Sequence, residues 1–415
     1  MTRYDLPTSS RRVALIALLL VSLGQPRPAH SQETNANVQS PSASTQLDLQ
    51  KKSEVEQAQA WLKAGDQTRK LSDPPRSIEN YEKALTAFRS LHDRSSEGTT
   101  LNNLGLVYRS MGQYAKAIGF YEQVLVIDRE LGDRAHEATS LSNLGVAYRS
   151  LKQHEKGISL YEQALAIERE VGDHVAEATT LYNLGSAYRS VGQYAKAIGF
   201  YEQLLAIDRE LGDRGDEAAT LNSLGVAWHA QSQFAKAIGF FEQALSILRE
   251  AGDRAGEGMT LNNVGETYRS LSQYAKAIGF FEKALPIERE VGNCADEART
   301  LNNLGTVYSS LSQYAKAITF FGQALTVHHE VGDRAGEATT LHNLGSVYSS
   351  LSQYARAIGF YERALAIERE LGDREREART LDNLGGAYDA LNQYTQAIDF
   401  YRLSQAIHRD RKSVV

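Results

Sequence analysis

Apolar residues recur at helical spacing over most of the chain, in two stripes that alternate. In the first, Leu101, Leu104, Gly105, Tyr108 and Met111 fall at i, i+3, i+4, i+7 and i+10, one apolar face of a helix. The second carries Tyr114, Ala117, Ile118, Tyr121, Val124, Leu125 and Ile127. This face is broader and predicts a helix covered on two sides. Gly112 separates the stripes, and later copies place Gly, Ser, Lys or Asn there, which predicts a tight turn. The segment Leu131-Gly132-Asp133-Arg134 closes the stretch. Gly132 suits the residue after an outgoing helix, and Asp133 the N-cap of an incoming one.

The pattern repeats every forty residues. Blocks at 61–100, 101–140, 141–180, 181–220, 221–260, 261–300, 301–340, 341–380 and 381–411 make nine units in an array over 54–411, with a tail at 412–415. The first block is degenerate. Trp61, Gly65, Tyr81, Ala84 and Leu85 keep its register, while Pro74 and Pro75 are expected to interrupt the usual turn. A glycine inside a helix costs about 1 kcal/mol. Gly105 recurs in every copy, so a partner helix is expected to approach closely there. Pro286, inside a second helix, is expected to kink it. In the last block Ser404 and Gln405 replace an Ala-Leu pair, which predicts a poorly made terminal helix.

Leu104-Gly105, Tyr108, Ala117, Tyr121 and Val124 (Ala in most copies) stand at the offsets of the tetratricopeptide repeat (TPR) signature. The chain is thereby identified as resembling the TPR superfamily over about residues 54–411. The resemblance implies an all-α fold, a right-handed α-solenoid of about nine TPR helix-turn-helix repeats. The usual repeat is about 34 residues. The longer helices here resemble those of Pins-type adaptors, kinesin light chain and the bacterial TPR arrays of TPR–CHAT proteins.

Residues 1–31 have the layout of a signal peptide. Arg3, Arg11 and Arg12 precede the apolar run Val13 to Leu23, which is too short to span a bilayer, and Ala29-His30-Ser31 forms a cleavage site. The layout predicts export, to the periplasm or the medium of a bacterium, with no stable membrane insertion after cleavage. Residues 32–53 are polar and read as a flexible linker.

The formal net charge of −6 sets nucleic acid aside as a partner. Cys294 is the single cysteine, so no intrachain disulfide can form. The sequence shows no catalytic residue, no metal site and no cofactor motif. The Glu-Arg-Glu segments near the ends of the second helices read as a solvated face with i,i+4 partners. His328 and His329 point to different sides of one helix. The reading is therefore of a protein that is not an enzyme.

By resemblance, the first helices line a concave groove. Asn103, Asn143, Asn183, Asn263, Asn303, Asn343 and Asn383 recur at one exposed position of these helices, with Ser223 the exception. A side-chain amide donates and accepts at once. In kinesin light chain and Pins-type adaptors the matching asparagine holds the main chain of an extended ligand. Arg109, Arg149, Arg189 and Arg269 share a second position, where His229, Ser309, Ser349 and Asp389 also occur. The arginines imply acidic groups on the ligand. Arg129 and Arg169, on second helices, are expected to lie outside the groove.

These features imply a protein–protein interaction scaffold that binds an extended peptide or partner protein. Two other readings stay open: a sensor or regulatory TPR part of a larger assembly, including a CHAT-type protease without its catalytic domain here, and a self-assembling structural spacer. The last helix carries Ala397, Phe400, Tyr401 and Ile407, which predicts self-association through that end.

Overall fold

The structure, a computed structural model, describes the backbone of residues 43–413 and the side chains of residues 50–409. The signal-peptide pattern at 1–31 and the start of the polar segment at 32–42 lie outside the described residues. The rest of that segment differs from its reading. Residues 43–53 are helical, in α1 (Ala43–Lys70). They contain no Gly or Pro, so the helix that packs from Ala58 onward propagates back through them.

Among the described residues, eighteen helices follow one another as pairs. The first pair is α1 with α2 (Pro74–Ser90), then α3 (Arg94–Ser110) with α4 (Tyr114–Leu131), and α5 (Arg134–Ser150) with α6 (His154–Val171). The middle pairs are α7 (His174–Ser190) with α8 (Tyr194–Leu211), α9 (Arg214–Ala230) with α10 (Phe234–Ala251), and α11 (Arg254–Ser270) with α12 (Tyr274–Glu290). The last are α13 (Cys294–Ser310) with α14 (Tyr314–Glu330), α15 (Arg334–Ser350) with α16 (Tyr354–Glu370), and α17 (Arg374–Ala390) with α18 (Tyr394–Ser413). From α3 on, each first helix packs most extensively on its own second helix, and each second helix on the next first helix. The described residues form an α-solenoid of nine helix pairs.

Turn chemistry sets these boundaries. Asp133 caps α5, its carboxylate accepting from His136 N–H at 3.1 Å. Within pairs, a residue of positive φ ends the first helix: Gly112 at 72°, Lys152 at 63°, Ser232 at 59° and Asn392 at 59°. That conformation lets Gln113 N–H reach back to the Tyr108 carbonyl at 2.9 Å. Pro74 and Pro75 do not interrupt the turn. They open α2, where a missing N–H is no loss, behind the N-cap Asp73.

The recurrent helix glycine faces an aromatic ring, not a helix backbone. A Cβ at Gly145 would lie 2.7 Å from Tyr161 Cε1, and the same clash recurs between Gly105 and Tyr121, and between Gly225 and Phe241. Tyr121 and Tyr161 are fully buried as a result. Met111 leaves the apolar stripe: it is the C-cap after α3 and 41% exposed. Helix α12 continues through Pro286, which is exposed, as is Glu282, the residue whose carbonyl loses its helical partner there. Helix α18 is likewise continuous over 20 residues, with Ser404 buried.

Candidate functional site: the first-helix face

First helices also touch across units: α5 meets α7, α9 meets α11, α11 meets α13, α13 meets α15 and α15 meets α17. Second helices make no contact of that extent with one another among the described residues. The first helices therefore form the closer-packed layer, and their outward residues make one continuous face.

The asparagine row lies on this face, half-buried, and is tied together across units. Asn143 Nδ2 donates to Asn102 Oδ1 at 3.1 Å, Asn263 to Asn222 at 3.0 Å, Asn303 to Asn262 at 3.1 Å and Asn343 to Asn302 at 3.1 Å. At the ends Asn103 donates to Asp66 Oδ1, and Asn383 to His342 Nε2, each at 3.1 Å. Asn183 is the exception, because the residue it would reach, Ser142, pairs with Thr180 at 3.0 Å. Six of the seven amides thus use one N–H to hold neighbouring units in register. Among the described residues, only Asn143 of the row also accepts a side-chain bond at its amide oxygen, from Arg109 at 3.4 Å.

The arginine row divides in two. Arg109 leans on Asn143, and Arg149 reaches the Asn183 carbonyl at 3.5 Å. Neither has a carboxylate partner among the described residues, nor has the exposed Arg189. Arg269 is neutralised in its own helix by Glu266, with one bond of 2.8 Å. The unpaired cations therefore lie in units two to four.

Two buried hydroxyls beneath them are a feature that the sequence reading missed. Tyr81 and Tyr361 donate to Asp66 at 2.7 Å and Ser346 at 3.2 Å. In units two and three those partner positions hold Leu106 and Val146, so the Tyr121 and Tyr161 hydroxyls are buried without a hydrogen-bond partner. Burial pushes both phenols up to about 12, against the pull of Arg109 on Tyr121 and of Arg149 and Arg109 on Tyr161. An apolar residue forty positions along from Asp66 was the available signal.

The Glu-Arg-Glu segments are a solvated face only at their arginine and second acid. Their first carboxylates point into the joint between units: Asp128, Glu168, Asp208, Glu288 and Glu368 are buried and accept from Ser140, Thr180, Thr220, Thr300 and Thr380 at 2.6–3.0 Å. Burial raises all five, Glu168 and Glu288 to about 7 and Asp208 to about 6. The arginine that follows binds forward. Arg129 meets Glu137 at 2.8 Å and Arg169 meets Glu177 at 2.7 Å, so both belong to the joint. His328 and His329 do separate, one buried and one exposed.

Among the described residues there is no cluster of metal-ligating side chains and no helix long and apolar enough to cross a membrane. The tetratricopeptide repeat family profile matches residues 56–130, 136–210, 216–290, 256–330, 296–370 and 336–410. The chain belongs to the tetratricopeptide repeat family. No curated protein matches the sequence of this TPR array. Among solved structures it is similar to the quorum sensor NprR of B. thuringiensis, with 17% identity, TM-score 0.58, and coverage of 88% of this chain and 99% of that one. It is also similar to aspartyl phosphate phosphatase F of Bacillus subtilis, with 15% identity, TM-score 0.56, and coverage of 86% and 94%. A third likeness is to a signal-transduction ATPase with a tetratricopeptide repeat sensor from Pyrococcus horikoshii. There identity is 17%, TM-score 0.57, and coverage 86% of this chain and 55% of that one. At these identities the likeness is one of fold.

Proposed function

We propose that this TPR array is a non-catalytic scaffold that binds an extended acidic segment of a partner protein along the first-helix face of units two to four. The observation that carries the reading is the set of unpaired cations, Arg109, Arg149 and Arg189, above two unpartnered buried hydroxyls. The asparagine row supplies amide groups beside them for the ligand backbone, Asn103, Asn143 and Asn183 being in reach of the same segment. A solved Rap protein of similar fold is complexed with competence and sporulation factor, with TM-score 0.52, which supports ligand binding as a use of this architecture. The likeness to the archaeal sensor supports a regulatory setting for such a scaffold.

The test uses a labelled polyglutamate peptide and fluorescence anisotropy. Changing Arg109, Arg149 and Arg189 to Glu should weaken binding at least tenfold, by removing charge-assisted bonds of about 1.5–3 kcal/mol each, and should lower its salt sensitivity. The control is Lys83, Lys283 and Arg363 changed to Glu, an equal charge reversal at one exposed position of the second helices α2, α12 and α16. Equal loss in both variants would sink the proposal. Export rests on the pattern at 1–31, and an intact mass starting near Gln32 in the native host checks it. Self-association rests on α18, where Tyr401 is 41% and Ile398 49% exposed, against at most 3% for the aromatic residue at the Tyr401 position of the second helices α2 to α16. Ala397 and Ile407 do not contribute, since α17 covers them. Sedimentation that stays monomeric at high concentration would remove this part.

A further inference from the structure

At each joint one position of the second helix faces the next first helix. Phe88, Asp128, Glu168, Asp208, Leu248, Glu288, His328 and Glu368 fill it in turn. Glu168, Glu288 and Glu368 are only 1–2% exposed. In each, one oxygen accepts a threonine hydroxyl and the other is buried with no hydrogen-bond partner. The nearby arginines bind other acids: Arg169 binds Glu177, Arg289 binds Glu297, Arg299 binds Asp296, and Arg369 binds Glu377. The remaining charges that face these carboxyls are Asp173 and Glu177 for Glu168, Asp296 and Glu297 for Glu288, and Asp373, Glu377 and Arg376 for Glu368. A carboxylate held by one neutral donor and facing other acids is costly to keep ionised, whereas the neutral acid is not.

His328 takes this place in the joint between α14 and α15. It is 6% exposed and packs over Gly336, where any Cβ would collide with the imidazole. Asp333 Oδ2 lies 3.0 Å from Nδ1 but outside hydrogen-bonding geometry. Glu337, the other acid facing the ring, is bound by Arg334. The neutral form is here the deprotonated one.

We propose that the joints of this array respond to protons in opposite senses: the carboxyl joints tighten as protons are taken up, and the His328 joint loosens. The device does not depend on the ligand-binding proposal. Its sign follows from the resting forms. Burial raises Glu168 and Glu288 to about 7, so their contribution is complete below the ordinary glutamate range and is lost as pH rises through about 7. Burial lowers His328 despite the opposing pull of Asp333 and Glu337, so its joint weakens as pH falls through the ordinary histidine range, about 6.5. In mild acid the α14–α15 joint becomes the weak point between firm neighbours.

Hydrogen–deuterium exchange of the full chain, corrected for the intrinsic pH dependence, tests this helix by helix. From about pH 8 to about pH 5.5, exchange in α7 should slow by about tenfold or more and exchange in α17 should slow as well, while exchange in α15 should quicken. Replacing Glu168, Glu288 and Glu368 with Gln, which mimics the neutral acid, should remove the response of α7 and α17. His328→Gln should remove that of α15. A wild-type chain in which the three helices respond alike overturns the proposal, even if a variant fails to fold. Retention of the wild-type profile in the Gln variants overturns it as well.

Discussion

At the scale of single residues, the fold depends on a few backbone demands met repeatedly. The ring of Tyr121 fills the space that a Cβ at Gly105 would need. Gly105→Ala should therefore destabilise by about 1–3 kcal/mol, although alanine is the better helix former, because a packed ring cannot yield without strain. Urea denaturation would read the loss, and a neutral result would show that the ring can move. Lys152 gives the opposite expectation. It is exposed, with φ at 63°, where a Cβ costs roughly 1–2 kcal/mol. Lys152→Gly should stabilise, by up to about 1 kcal/mol once the entropy of the freer unfolded chain is subtracted. The asparagines are a different case. Their recurrence was plain in the sequence, but their bonds to neighbouring units were not, because residues 41 apart meet only when units stack.

At the scale of the helix, the α4–α5 and α8–α9 joints each carry two polar devices that titrate apart. Glu137 sits between Arg129 at 2.8 Å and Arg134, and the same clamp recurs at Glu97, Glu217, Glu257 and Glu377. Burial pushes the Glu137 carboxyl up, but the bonds and charges of the two arginines together outweigh it and hold the carboxyl low. The clamp's contribution is present above the ordinary glutamate pKa, about 4.5, and is lost as pH falls below it. Burial raises the nearby Asp128 carboxyl, so its contribution fails in the opposite sense, as pH rises. Glu137→Gln should cost about 1–2 kcal/mol at neutral pH, a figure discounted because both arginines are half exposed. The cost should shrink as pH falls below about 4.5 and vanish in stronger acid, where the wild-type carboxyl is protonated too. Thermal melts of both proteins at the two pH values check this, and a cost that persists in acid would assign the effect to packing.

At the scale of the molecule, stability is close to a sum over units and joints. Removing residues 174–213 deletes one forty-residue unit in phase and brings Thr220 to the place of Thr180 against Glu168. The shortened chain should remain helical, fold cooperatively and melt a few degrees lower. Circular dichroism would show it, and collapse to an unfolded chain would count against the additive picture.

The sequence by itself determined the helix pairs, their forty-residue period, the αL turns, the aspartate caps and the family, because each rests on neighbours within one or two turns. It also marked the face on which Asn103 and Arg109 lie, since helical periodicity separates apolar from polar positions. Only the tertiary structure decided what the polar residues do with one another. Glu168 read as one more exposed acid in a charged run, and stacking buried it against Thr180. Arg269 read as equivalent to Arg109, and Glu266 one turn earlier removed its charge from the face. Periodicity fixes the side of a helix on which a residue lies. Whether that side meets water, a carboxylate or the next unit depends on contacts between residues about forty apart.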